Sequence, residues 1–242
     1  MLLAYLALRQ LAQNDAVTKT YSWIERLAYE RAEKDGDMES WSAQQVHDYH
    51  QLGRLTPTTH RQLFDLAVER LVDLKAWIEQ GNDSPYQTWQ RAERETEMRN
   101  LVAGWLGGHA HGRYSCAQEN ELANQQRTDI LLQSPAVSSP VPIELKLLDK
   151  GWTGPALCER LRNQLAGDYL REHTAGHGIL LLVWQGRTTS KRWQIGTQRV
   201  GREDLPDALH QYWESVSDQF PGVSGIRVVL IDLTVRDEVS GV

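Results

Sequence analysis

The sequence predicts an α/β protein with a mixed sheet, built in the order helix, three strands, helix, strand and preceded by an all-helical N-terminal region. Three observations predict it. Helical spacing of apolar residues fills the first hundred positions, and short apolar runs flanked by turn residues follow Gly108. One of those runs, 178–184, is unbroken Gly-Ile-Leu-Leu-Leu-Val-Trp, the pattern of a strand covered on both faces. With 242 residues, 40% hydrophobic and 24% charged, the chain has enough apolar material for a packed core, which excludes a mainly disordered protein.

Segments near 2–12 and 20–34 read as helices. The opening MLLAYLALRQ lacks a basic lead-in and carries Arg9, so it reads as an amphipathic helix cut from a longer parent chain rather than a signal peptide. Thr56-Pro57 is an N-cap and first-turn pair, followed by Leu63, Leu66, Ala67, Leu71, Leu74 and Ile78 on one stripe and a stop at Gly81. Ser84 and Gln87 stand at capping-box spacing and open a second helix running to Leu106 before Gly107-Gly108. Strands are expected at Tyr114–Gln118, Thr128–Leu132 and Val141–Leu148, the last two joined as a hairpin through the loop 134–140. A helix from Pro155 to Glu172 carries Leu157, Leu161, Leu165 and Tyr169 on one side. The apolar run 178–184 follows, then strands at Arg192–Ile195 and Ile226–Leu233 around a helix at Asp204–Val216. The expected division is a helical region over 1–83 and a sheet domain over 84–242.

Charge narrows the partners. The net charge is −6, which excludes a simple basic nucleic-acid coat. Residues 144–202 nevertheless hold 10 basic against 5 acidic side chains, so this segment alone could bind a polyanion. Solvated surface is the competing explanation of the same charges. Two cysteines, Cys116 and Cys158, are too few for a disulfide scaffold and fit a reducing, cytoplasmic location. No apolar run reaches the ~18 residues that span a membrane, and no glycine-rich phosphate loop is present.

The most informative stretch is Arg127-Thr128-Asp129-Ile130, a gap, then Ile143-Glu144-Leu145-Lys146. On a strand Glu144 and Lys146 share one face, while Ile143, Leu145 and Leu147 share the other. Asp129, on the neighbouring hairpin strand, can join the first face. Two carboxylates and an ammonium gathered on one sheet face are costly unless something offsets them. A hard divalent cation between Asp129 and Glu144 would do so, leaving Lys146 to handle a water or a phosphate oxygen. A structural salt bridge is the competing explanation. The second acid-x-Lys triplet, Asp73-Leu74-Lys75, lies mid-helix and reads as solvated surface.

These residues, with the element order, make residues 85–235 resemble the PD-(D/E)xK nuclease superfamily, in its restriction-endonuclease-like, Mrr-like branch. Similar domains close long bacterial anti-phage proteins. Thr128 stands where the family name has proline. The resemblance implies a restriction-endonuclease-like core and magnesium, with manganese as a substitute, held by Asp129, Glu144 and the carbonyl of Leu145. It implies that Lys146 orients or activates the attacking water. It also implies DNA as substrate, with RNA as an alternative, and restriction or anti-phage defence as the role. A homodimer and additional sensor or activator domains of a longer parent are the implied partners. A catalytically silent nuclease-fold module for binding or assembly is the alternative outcome.

Family members often add an acid from the helix before the first strand. Measured against the stripe of Met98, Leu101, Val102, Trp105 and Leu106, Glu95 falls within about 50° of its centre and Glu97 beyond about 100°. Glu95 therefore ranks ahead, with Glu119 and Glu121 as rivals from the first strand. A glutamine in the helix after the third strand recurs in the family, and Gln164 holds that place here, beside Leu161 and Leu165; helix packing is its other explanation. Tyr169 follows five residues on. His109 and His111 lack a third zinc ligand at usable spacing, and His47 and His50 read as surface. Cys116 reads as core, and Cys158 has no catalytic partner at a recognisable spacing. Trp152 and Trp184 are the tryptophans near the candidate site, where base stacking is conceivable.

Overall fold

The computed structural model describes residues 56–121, 127–170, 176–187 and 192–235. The expected helices near 2–12 and 20–34, together with His47 and His50, lie outside the described residues. So do the side chains of Glu119, Glu121 and Tyr169.

The chain runs α1 (His60–Gln80), α2 (Tyr86–Gln90), α3 (Glu95–Gly108), β1 (Ser115–Glu121), β2 (Arg127–Gln133) and β3 (Val141–Leu147). Helix α4 (Gly154–Glu159) then passes directly into a π-helical stretch, Arg160–Leu170. β4 (His177–Trp184), β5 (Trp193–Ile195), β6 (Gln198–Val200), α5 (Leu205–Val216) and β7 (Gly225–Asp232) complete it. Among the described residues the protein is α/β, with a five-stranded mixed sheet in the order β1-β2-β3-β4-β7 and a separate β5–β6 hairpin. β1–β2 and β2–β3 pair antiparallel, as the short connection 134–140 allows. β3–β4 and β4–β7 pair parallel and therefore need long crossovers. The first crossover contains α4 and its π continuation, the second β5–β6 and α5.

Alternation along the strands sorts side chains into two cores. Ile143, Leu145, Leu147, Ile179 and Leu181 face one layer with α1 and α3, whereas Leu180, Leu182 and Leu230 face the other with Leu161, Leu165, Leu209 and Trp213. Leu63, Ala67, Leu71, Leu74 and Ile78 of α1 are fully buried in the first core. The unit that holds the sheet thus begins at Leu55 rather than at 84, because the apolar stripe of α1 is one wall of the sheet's own core. His60 adds a polar tie: its Nε2 lies 3.2 Å from the Pro140 carbonyl and its Nδ1 3.2 Å from His177 Nδ1. Burial lowers the pKa of both rings.

Two helix boundaries differ from the sequence reading. α1 is capped by Thr59, whose hydroxyl accepts from Gln62 N at 3.2 Å, while Gln62 Oε1 accepts from Thr58 N at 2.9 Å. Thr56-Pro57 stays outside the helix, with Pro57 buried and its carbonyl bonded to Ser134 Oγ at 3.2 Å. The helix expected over 84–106 is two helices. Ser84 Oγ donates to Ile78 O rather than forming a capping box. The chain then breaks at 91–94, where Glu97 Oε2 accepts from Glu93 N and Arg94 N and starts α3 afresh. Gly154, the first residue of α4, lies so close to β5 that a Cβ would fall 1.9 Å from Gln194 O. Cys116 and Cys158 are both free and packed in the two cores, with burial raising each thiol to about 11.

Membership of α1 in the sheet's core carries a testable cost. Leu74→Ala is expected to lower unfolding free energy by about 2–5 kcal/mol through lost burial and the cavity left behind. Urea denaturation of the full chain followed by tryptophan fluorescence measures it, and a loss below about 1 kcal/mol would show that α1 is not part of that core.

Candidate functional site

The site forms where β2 and β3 part. Their backbone pairing runs Leu132↔Val141, Leu131↔Pro142 and Ile130↔Ile143 and goes no further. β2 continues to Arg127 on its β1 side. Asp129 therefore lies beside a stretch of β3 with no β2 backbone opposite it, and its side chain takes over: Oδ2 accepts from Leu145 N at 2.9 Å. Two residues on, Leu147 N donates to Glu95 Oε1 at 3.3 Å. Two carboxylates thus cap the strand amides that the parting exposes, which both satisfies the amides and fixes the acids.

Glu144 and Lys146 sit between these caps on the opposite face of β3 from Leu145. Glu144 is 1% exposed and Lys146 6%. Lys146 Nζ lies 2.8 Å from Glu144 Oε1, 3.3 Å from Glu95 Oε2 and 3.6 Å from Asp129 Oδ2, and it donates to the Leu145 carbonyl at 2.7 Å. Arg99, one helical turn after Glu95 on α3, places Nη1 3.4 Å from Asp129 Oδ1. Three carboxylates therefore face two cations. When all are ionised, one negative charge remains in a largely buried cluster. Glu144 Oε2 carries it furthest from relief, being buried with no hydrogen-bond partner. Burial, then repulsion from Asp129, raises the Glu144 carboxyl to about 7, against the pull of Lys146. For Lys146, burial favours the neutral amine, but Glu144, Asp129 and Glu95 together outweigh it and raise its pKa.

Of the sequence-predicted site residues, the structure brings Glu95, Asp129, Glu144 and Lys146 together, with the Leu145 carbonyl on the same ammonium. Glu97 is not among them, since it is spent on the α3 N-terminus, where bonds from Glu93 N and Arg94 N lower its pKa. Gln164 is half-buried on the π-helical stretch and accepts from Arg160 Nη1. Arg160 and Lys146 each lie 5.5 Å from the centre of the Trp152 ring, so Trp152 joins Gln164's partner to the cluster. Trp184 is instead a core residue, 3% exposed and edge-on to Trp193. His109 stacks on Trp105 and bonds its carbonyl at 2.8 Å.

Arg99 is the residue that sequence reasoning missed. Its spacing of four from Glu95 was the available signal, because those two positions share a helix face. Among the described residues, no three His, Cys, Asp or Glu side chains are arranged to hold a metal ion by themselves. Asp129, Glu144 and the Leu145 carbonyl make a mixed set of hard oxygen donors, and the unpartnered Glu144 Oε2 suits an added cation. No helix among the described residues is long and apolar enough to cross a membrane. No protein-family model, curated protein or solved structure matches the chain.

The buried carboxyl sets a pH dependence. Glu144 binds its proton more tightly in the folded state than in the unfolded one, so its contribution favours folding at low pH. That contribution is lost as pH rises from the ordinary carboxylate range to about 7. In EDTA, Tm of the wild type relative to Glu144→Gln should fall between about pH 5 and pH 8. His60 and His177 titrate in both proteins and cancel in the difference. Parallel Tm profiles would contradict the assignment.

Proposed function

We propose that the protein is a metal-dependent phosphodiesterase of the PD-(D/E)xK type, an endonuclease acting on DNA in restriction or anti-phage defence. The observation that carries the reading is the convergence of Asp129, Glu144 and Glu95 on Lys146 where β2 and β3 part. The element order α3, β1, β2, β3, α4, β4 in a mixed sheet agrees with the restriction-endonuclease-like core that the sequence suggests. Lys150, Arg160, Arg162, Arg192 and Arg199 are exposed and would hold a nucleic-acid backbone.

In this reading Asp129, Glu144 and the Leu145 carbonyl hold magnesium or manganese. The ion supplies charge neutralisation at the phosphate and a lowered pKa for water. Lys146, anchored by Glu95 and Glu144, orients the attacking water and donates to the oxygen that gains charge. Arg99, with Nη1 3.4 Å from Asp129 Oδ1, helps to hold that carboxylate against β3. Glu144 Oε2 is open to the ion, whereas the Leu145 carbonyl already accepts from Lys146 Nζ at 2.7 Å, so binding through it would need Lys146 to give up part of that contact.

The self-neutralising contacts of Lys146 favour a second reading, a nuclease-fold module that binds or assembles without cutting. Incubating supercoiled plasmid, linear duplex, single-stranded DNA and RNA with magnesium, manganese or EDTA separates the two. Metal-dependent cutting should fall at least about 100-fold in Lys146→Ala. Wild-type cutting by that variant would refute the mechanism. An RNA-only product pattern would move the substrate to RNA.

A further inference from the structure

Gln185 follows the last residue of β4 and is 4% exposed. Its Nε2 points at three backbone carbonyls, Ala92 O at 2.7 Å, Gln90 O at 3.2 Å and Trp89 O at 3.4 Å. Arg187 Nη2 donates to two of the same three, Gln90 O at 2.7 Å and Ala92 O at 3.0 Å. These carbonyls belong to the end of α2 and the turn 91–94, and Glu95 is the first residue of α3 beyond that turn. Gln90 itself is tied to the end of β7 through Nε2 and Leu233 O at 2.8 Å.

The other side of the clamp is anchored next to Lys146. Asp149 lies three residues past Lys146, in the turn that ends β3. Its carboxylate accepts from Gln185 N at 2.7 Å and from Arg187 N at 2.8 Å. A continuous run of bonds therefore leads from the strand bearing Lys146, through the end of β4, to the turn that launches Glu95. Gln185 Oε1 is buried without a partner, so the amide is oriented by its N–H donors alone. An isosteric carboxylate there would set negative charge against three carbonyl oxygens.

We propose that Gln185 is a positioning residue for Glu95: by clamping the carbonyls of the α2–α3 turn, it sets where α3 begins and where the Glu95 carboxylate meets Lys146 Nζ and Leu147 N–H. Its catalytic consequence rests on the nuclease reading above; its structural consequence does not. Arg187 holds the same turn from the exposed side, and Asp149 fixes the backbone of both Gln185 and Arg187.

Residue-resolved hydrogen exchange on the full chain tests it, because the Leu147 amide is bonded to Glu95 Oε1 and reports where that carboxylate sits. Gln185→Met and Gln185→Glu should each speed Leu147 exchange about tenfold, and so should Glu95→Ala. The double variant Glu95→Ala with Gln185→Met should be no faster than Glu95→Ala alone, and the β4 amides should keep wild-type rates. If the Gln185 variants do not fold, Arg187→Ala, at an exposed position, should shift Leu147 in the same direction by a smaller factor. Unchanged Leu147 exchange overturns the proposal. So does equal acceleration at Leu147 and throughout β4, which would make Gln185 a general brace. In cleavage assays kcat should fall about tenfold in Gln185→Met with KM unchanged, and fall no further in the Glu95→Ala background. A Leu147 response in a protein that never cuts nucleic acid would sink the nuclease reading and leave the positioning role standing.

Discussion

The candidate site depends on the point where β2 leaves β3. Up to Ile130 and Ile143 the two strands satisfy each other's backbone; beyond that pair the amides of Leu145 and Leu147 need other acceptors. Asp129 and Glu95 supply them with carboxylates. A buried amide left unpaired costs about 1–3 kcal/mol, so the parting of the strands and the placement of the acids stabilise each other. Backbone rather than rotamer freedom therefore decides where the negative charge accumulates.

That charge is tolerable only because Lys146 stands among the acids. An ammonium bonded to Glu144, Glu95 and a carbonyl offsets much of the desolvation of all of them. The offset is incomplete, as the raised Glu144 carboxyl and its unpartnered oxygen show. A cluster left with surplus charge in a buried place is poorly suited to a purely structural role, for which an apolar set of similar volume serves better. It is well suited to accepting a cation.

Much of this was legible in the sequence because the signals are local. Period-two alternation around Glu144 and Lys146 separated the charged face of β3 from the apolar one. Turn residues bracketed the three antiparallel strands to within a few positions, and helical angle alone preferred Glu95 to Glu97. What escaped depends on distant partners. The break between α2 and α3 is held from outside by Gln185 and Arg187, more than ninety residues away, and its local part, the Glu97 cap, has no Ser or Thr three residues before it to announce a helix start. The apolar stripe of α1 shows that one face is buried but not what buries it, which is why the sheet's unit starts earlier than composition suggested. Trp184 looked available for stacking only because a strand pattern does not say that Trp193 lies across it.

Asp129 and Glu144 are proposed as cation ligands rather than members of a closed salt-bridge cluster. Calorimetric titration of magnesium into the 242-residue chain tests this, with Asp129→Ala and Glu144→Gln as controls. A saturable heat is expected in the wild type, and both substitutions should remove it while the fold persists. Undiminished binding in both variants, or no binding in the wild type, would contradict it.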